Sequence, residues 1–345
     1  MTPIRVAVLG SGAVTNVLYR LVLREVRDEI ELVGVADLNR QSADQLLKEF
    51  PSVKFFTDYH SMLEQLRPDA VIVAMPHFLH KPASVDALRM GIHVFCEKPM
   101  AISSEECDQI EAVARETGGV FCVNLLRRWF PSVQEIKRIT DARALGALTS
   151  FEATEGAPYG WPAMSFSFFD RKISGGGVLM DSGVHTLDLL QWWLGPIEVV
   201  EFFDDAAASG VECDCIAELQ AVGARGSLRM SRSVELPNVY RLQFERGWIE
   251  WDHDDGTRFR FSSTGQTRDG QTMDGQTTVE AEVKCEARWA GGGRFTFALA
   301  EQLRAFARAC RGESAAGLVL AGEARKSVDI ITNCYSRRKE LVIAE

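Results

Sequence analysis

The sequence predicts two α/β domains, a doubly wound parallel sheet over residues 1–124 and a mostly antiparallel sheet over residues 125–345, on three observations. Length is the first: 345 residues exceed the size at which a single hydrophobic core stops growing. The second is the alternation of short β-branched runs with amphipathic helical stretches in the first third, the pattern of strand-helix-strand crossovers. The third is a change of rhythm after Asn124, where strand-like segments follow one another with turn residues between them.

In the first domain the strands are expected at 5–9, 31–36, 70–74, 93–96 and 120–123, with helices near 13–26, 41–50, 61–65, 81–90 and 103–117. Ser103 followed three residues later by Glu106 forms a capping box that fixes the start of the last helix. In the second domain strands are expected near 148–156, 197–204, 212–220, 226–235, 238–244, 247–252 and 257–262. Residues 263–276, rich in Gly, Thr, Ser and Gln, read as an exposed loop, and helices return near 294–311 and 316–337.

The composition, 46% apolar and 25% charged, is that of an ordinary globular chain. A formal charge of -10, with Lys and Arg scattered among acids, argues against nucleic acid as a partner. No apolar run approaches the ~20 residues of a membrane span. The strand-like run from Ile4 leaves no room for a signal peptide. The cysteines, Cys96, Cys107, Cys122, Cys213, Cys215, Cys285, Cys310 and Cys334, include no Cys-x-x-Cys pair and read as reduced core residues, so a cytoplasmic chain is expected.

Gly10-Ser11-Gly12-Ala13-Val14-Thr15 follows the first strand and opens a helix, the context that makes such a glycine pattern informative. Gly10 permits the tight turn and Gly12 lets the backbone approach a pyrophosphate. Ala13 and Val14 begin the helix, whose N-terminus offers amide donors and the positive end of its dipole. Thr15 stands where the strict pattern has a third glycine, and its β-branch is expected to hold helix and strand slightly apart. Asp37 ends the second strand, where a carboxylate accepts from the adenosine ribose hydroxyls and repels a 2′-phosphate. This favours NAD over NADP, although Arg40 nearby is the group that would accommodate such a phosphate; a turn aspartate is the plainer reading of Asp37.

Met75-Pro76-His77-Phe78-Leu79-His80, Glu97-Lys98-Pro99 and the run from Gly175-Gly176-Gly177 to Asp181, His185 and Asp188 complete a set of motifs. With Arg128-Trp129-Phe130-Pro131 and Tyr335-Ser336, their order and spacing resemble the Gfo/Idh/MocA family, the glucose-fructose oxidoreductases and inositol dehydrogenases, over most of the chain. The resemblance implies a Rossmann domain followed by an α/β domain with a large open sheet, a bound NAD(P), and substrates that are sugars, cyclitols or nucleotide sugars. It also implies that Lys98 reaches the reacting oxygen, that the peptide before Pro99 is cis, and that Met75, Pro76, His77, His80 and Glu97 lie toward the cofactor.

In its own chemistry, Lys98 ends a parallel strand where ligands of doubly wound sheets bind, and Glu97 beside it is placed to orient the ammonium; a surface ion pair is the plainer reading. Asp181, His185 and Asp188, spaced four and three apart, share one face of a helix. An imidazole titrates near neutrality and suits removal of a hydroxyl proton, with Asp181 orienting it; a structural histidine is the alternative. The triple glycine points to close backbone approach to a ligand. Tyr159, Trp161 and Arg128 suit the apolar side and hydroxyls of a sugar ring, ordinary packing being equally open. A zinc set of His77, His80 and His185 is set aside, because no Cys or carboxylate is spaced as a further ligand, and no metal is expected. His60, His93 and His253 read as structural, and Trp192 and Trp193 as extending the helix after His185.

The leading expectation is NAD-dependent hydride transfer between a secondary alcohol of a sugar, cyclitol or nucleotide sugar and its ketone, with His185 as base and Lys98 on the reacting oxygen or itself the base. A lyase, glycosidase or epimerase that keeps its NAD tightly bound is a second reading. A non-catalytic dinucleotide-binding regulator is a third, and Lys98, Asp181 and His185 together speak against it. An apolar open sheet face in the second domain needs cover, which predicts a homodimer or homotetramer.

Overall fold

The computed structural model describes residues 2–162, 166–206, 210–265, 277–286 and 293–341. Two compact units form, one of Met1–Trp129, Trp161–Val184 and Trp289–Thr332, the other of Phe130–Gly160, His185–Arg288 and Asn333–Glu345. The first unit thus takes in late segments of the chain as well as the N-terminal third. Its helix Gly293–Cys310 carries Leu299, Leu303 and Phe306 on one face, and these join the core built on the first strand.

In the first unit β1 (Ile4–Leu9), β2 (Ile30–Ala36), β3 (Lys54–Phe56), β4 (Ala70–Val73), β5 (His93–Cys96) and β6 (Phe121–Val123) run parallel in the order β6-β5-β4-β1-β2-β3. A short strand, Val319–Leu320, adds antiparallel to β6. Strand order reverses between β1 and β4, and the carboxyl ends at such a reversal are where doubly wound sheets bind ligands. Alternate residues of β1 serve opposite faces: Val6 and Val8 pack with Tyr19, Val22 and Phe306, while Ala7 and Leu9 pack with Met62, Leu63 and Ala83. Each fully buried Val, Leu, Met or Phe among them contributes ~1.5–3 kcal/mol. Burial on both faces is why these strands read as apolar runs.

The capping expectation is met in part. Ser103 accepts from the Glu106 amide at 3.3 Å, but the Glu106 carboxylate accepts from the Ile102 amide rather than that of Ser103. The helix Ser104–Thr117 then stops at Gly118, in the left-handed region at φ 67°.

In the second unit the strands are β7 (Leu148–Gly156), β8 (Ile197–Asp204), β9 (Asp214–Ala221), β10 (Ala224–Ser231), β11 (Leu236–Phe244), β12 (Gly247–Asp252), β13 (Arg258–Gly265) and β14 (Thr277–Lys284). They lie in the order β14-β13-β12-β11-β7-β10-β9-β8, antiparallel except for β7 against β10, and Arg338–Glu340 adds parallel to β8. One face buries Phe151, Ala153, Leu228, Tyr240, Leu242 and Trp251. The helix Val184–Leu194 supplies Leu187, Leu190 and Trp193, with Trp193 edge-on to Trp251 at 5.6 Å. The other face is charged rather than apolar. Glu152, Arg241, Glu250, Arg260 and Glu282 stand opposite one another on five successive strands, a row of alternating sign. Arg260 Nη1 lies 3.0 Å from Glu250 Oε1, and the Arg241 and Arg260 guanidiniums lie over the Trp248 ring at 5.2 and 5.7 Å.

The loop expected at 263–276 falls largely outside the described residues; the described part, through Gly265, extends β13. All eight cysteines are free, and burial pushes their thiols up from the ordinary range. Among the described residues no helix is long and apolar enough to cross a membrane.

Candidate active site

The chain leaves β1 through Gly10 at φ 96°, and a Cβ there would sit 2.3 Å from the Ala74 carbonyl oxygen, so only glycine fits where the exits of β1 and β4 meet. A Cβ on Gly12 would meet nothing within 4 Å, so its flank is open to a ligand. Thr15, fully buried, donates its hydroxyl to the Gly10 carbonyl at 2.8 Å and ties the helix to the turn. Ala13 and Val14 begin this helix, which passes through a π-helical turn, Thr15–Tyr19, of the kind frequent at functional sites.

Asp37 Oδ2 accepts from the Ser11 amide at 2.7 Å and Oδ1 from the Asn39 amide at 2.8 Å, which fixes the carboxylate beside the glycine turn while each oxygen keeps a lone pair. The Ser11 and Ser42 hydroxyls share a hydrogen bond at 2.5 Å. Arg40 is exposed, with its guanidinium 5.0 Å over the Phe55 ring. A glycine turn with an open flank, a helix N-terminus and a carboxylate at the end of β2 together fit a dinucleotide.

At the end of β5, Glu97 is taken up by the fold. Its Oε1 accepts from Tyr19 Oη and Asn124 Nδ2, each at 2.7 Å, and its Oε2 from the Lys98 amide at 3.2 Å. Burial and the neighbouring Glu97 push the Tyr19 phenol up, so it stays a donor. The carboxylate that faces the Lys98 ammonium is Asp181: Nζ donates to Asp181 Oδ1 at 2.6 Å and to the Asp181 carbonyl at 2.7 Å. Both side chains are about one-fifth exposed (21% and 17%), so the pair is reachable from solvent. The Lys98–Pro99 peptide is cis.

His77 stands in the short turn after β4 and His80 opens the helix that follows it. His77 Nδ1 lies 2.8 Å from the Ser174 carbonyl, and burial, helped by His80 and Lys98, pushes its pKa down to about 3, so the ring is neutral and donates. Both ring nitrogens of His80 face backbone carbonyls, Pro99 at 2.7 Å and Met75 at 2.9 Å. Pro76 precedes the short turn His77–Leu79. The group close to the triple glycine is a side chain: at Gly175, φ 81°, a Cβ would lie 2.8 Å from Ile102 Cβ.

Arg128, buried, is paired with Glu323 at 2.8 Å, and Trp161 is exposed; both belong to the first unit. In the second unit His185 and Asp188 lie on the helix Val184–Leu194, His185 half-buried and Asp188 buried. Thr186 donates to Glu155 Oε1 at 2.6 Å, as does Tyr240, and this buried trio anchors the first turn of the helix that carries His185. Tyr159 is half-buried, with the Arg232 guanidinium 5.4 Å over its ring. Asp252, His253 and Asp254 bring potential ligand atoms within 4.8 Å of one another, as adjacent residues commonly do.

Sequence reading passed over Tyr19, Ser42, Asn124 and Glu323. Tyr19 and Asn124 did carry a signal, each being a polar group in an otherwise apolar, buried stretch. Glu323 carried none.

Residues 4–125 match a family model described as an oxidoreductase family with an NAD-binding Rossmann fold, and residues 133–250 match the GFO/IDH/MocA C-terminal domain. The D-glucoside 3-dehydrogenase of Escherichia coli (strain K12) is 30% identical over 194 residues, 56% of this chain and 55% of that protein. The scyllo-inositol 2-dehydrogenase (NAD(+)) of Bacillus subtilis (strain 168) is 30% identical over 195 residues, 56% of this chain and 54% of that protein. The chain thus spans about half the length of the curated relatives it matches. A solved levoglucosan dehydrogenase in complex with NADH and levoglucosan has the same fold, with a TM-score of 0.82 at 18% identity over 97% of this chain and 98% of the other.

Proposed function

The chain belongs to the Gfo/Idh/MocA oxidoreductase family, and from that premise we propose that it is an NAD-dependent dehydrogenase acting on a secondary alcohol of a sugar, cyclitol or nucleotide sugar. The observation that carries the reading is the Lys98–Asp181 pair at the end of β5, partly open to solvent, in the unit that also holds the glycine turn. When bound, the nicotinamide supplies the hydride acceptor.

Gly10, Gly12, Ala13 and Val14 hold the pyrophosphate against the helix N-terminus, and Asp37 accepts from the ribose hydroxyls. Lys98 donates to the reacting oxygen, and its charge stabilises the alkoxide as the alcohol loses its proton. Asp181 holds that ammonium in place. The hydroxyl proton goes to His185 or to Lys98 itself, the two bases the sequence offers. His77, neutral and bonded to Ser174, adds no positive charge beside Lys98. The names of the glucoside and inositol relatives support the substrate class.

The test is a screen of sugars, inositols, aminocyclitols and nucleotide sugars for NADH formation. Turnover of at least one is expected, with NAD preferred over NADP and the preference narrowed in Asp37→Ala. A protein that binds NAD and turns over none of them is a regulator instead. A reducing, cytoplasmic compartment fits the free thiols. Assembly as a homodimer or homotetramer belongs to the same proposal, and a monomer by light scattering at micromolar concentration would end this part of the reading.

A further inference from the structure

His80 opens the helix His80–Arg89 and is fully buried. The two carbonyls its ring faces belong to the loops that leave β4 and β5, the loops that carry Met75 and Lys98. A neutral imidazole has a single N–H, so only one of the two contacts is a hydrogen bond unless the ring is protonated. Burial pushes its pKa down and Lys98 adds to that; the two carbonyls and Glu97 push the other way, and the neutral His77 ring lies 5.5 Å off. Of the two contacts, the one to Pro99 is the shorter.

We infer that His80 is a positioning residue whose Nδ1–H holds the Pro99 carbonyl, and with it the turn from which Lys98 reaches Asp181. The inference rests on the reading of Lys98 as the group that meets the reacting oxygen. Fixing the carbonyl one residue after Lys98 fixes where its side chain starts, and the ring is itself held by a helix rather than a loop. A misplacement of ~1 Å in such a group costs on the order of 10²-fold in rate.

Two amides separate the two contacts. The nitrogen of an asparagine side chain overlays imidazole Nδ1, and that of glutamine overlays Nε2. His80→Asn therefore keeps the donor to Pro99 and retains turnover within about fivefold, whereas His80→Gln and His80→Leu lower kcat by ~10- to 100-fold with NAD affinity nearly unchanged. Turnover in H80Q equal to or above that in H80N overturns the inference. A second readout needs no variant: ¹⁵N resonances of the histidine rings in the wild-type protein should show His80 protonated at Nδ1, and a ring protonated at Nε2 alone overturns it. Full turnover in Lys98→Ala removes the lysine's role and this inference with it. Loss of turnover in Lys98→Ala beside normal turnover in H80Q removes this inference alone.

Discussion

The parallel sheet of the first unit is covered on both faces, whereas the sheet of the second unit buries one face and lays a row of alternating charge along the other. With its faces filled, the first sheet places the residues proposed for its site at strand ends: Gly10 follows β1, Asp37 follows β2, Met75 stands just past β4 and Lys98 just past β5. The backbone there has left the ladder, and its amides and carbonyls are available to side chains and ligands. In the second sheet polar groups lie along the strands themselves. They are either satisfied inside, as in the Glu155, Thr186 and Tyr240 trio, or solvated outside, as in the charged row. On the proposed function, reactivity at strand ends and stability along strand faces separate, and substitutions can test the separation.

The largest expected effect is kinetic. Lys98→Ala should lower turnover by ~10²- to 10⁴-fold while the thermal midpoint stays near that of the wild type. A variant that lost stability in proportion to activity would break the comparison. Next comes the buried face of the second sheet, where Trp251→Ala should cost ~3–5 kcal/mol in denaturant titrations, since the fully buried indole packs on Tyr240 and Trp193.

A smaller effect is set by pH. The His77 ring titrates near 3 in the folded chain and near 6.5 when unfolded, so between those values the unfolded chain binds the extra proton. Its contribution to stability is complete above about 6.5 and is lost as the pH falls toward 3. His77→Asn keeps a donor for Ser174 and does not titrate, so urea titrations from pH 7 to 4 should show a shallower loss of stability; an unchanged slope would contradict the neutral ring. The smallest effect belongs to the charged row: Glu250→Gln should change stability by about 1 kcal/mol or less, and less still in high salt.

Most of the fold was legible because its determinants are local. Strands 5–9, 93–96, 148–156 and 247–252 announce themselves by β-branched runs or by alternation, and the structure puts strands there. What escaped was short or lay past a loop. Lys54–Phe56, Val319–Leu320 and Arg338–Glu340 are too brief to show a period, and Thr277–Lys284 follows the polar stretch read as a loop. The site divides in the same way. Gly10, Gly12 and Asp37 could be read from spacing, because a turn and a strand end are local features. The partner of Lys98 could not: Glu97 is adjacent in sequence yet faces Tyr19 and Asn124, and the carboxylate at the ammonium comes from Asp181, far along the chain. The two carbonyls at the His80 ring lie in loops that only the fold brings together, so no spacing in the sequence announces them.

The row formed by Glu152, Arg241, Glu250, Arg260 and Glu282 also acts as an error check on assembly. Because successive side chains on a strand point to opposite faces, a slip of one residue in β11 would turn Arg241 inward, toward the face that holds Tyr240 and Trp251, and leave an apolar neighbour in water. Burying an unmatched guanidinium costs far more than the row gains from any one of its surface pairs. The charges that add little to the finished sheet therefore penalise the misaligned ones, and they do so on five strands at once.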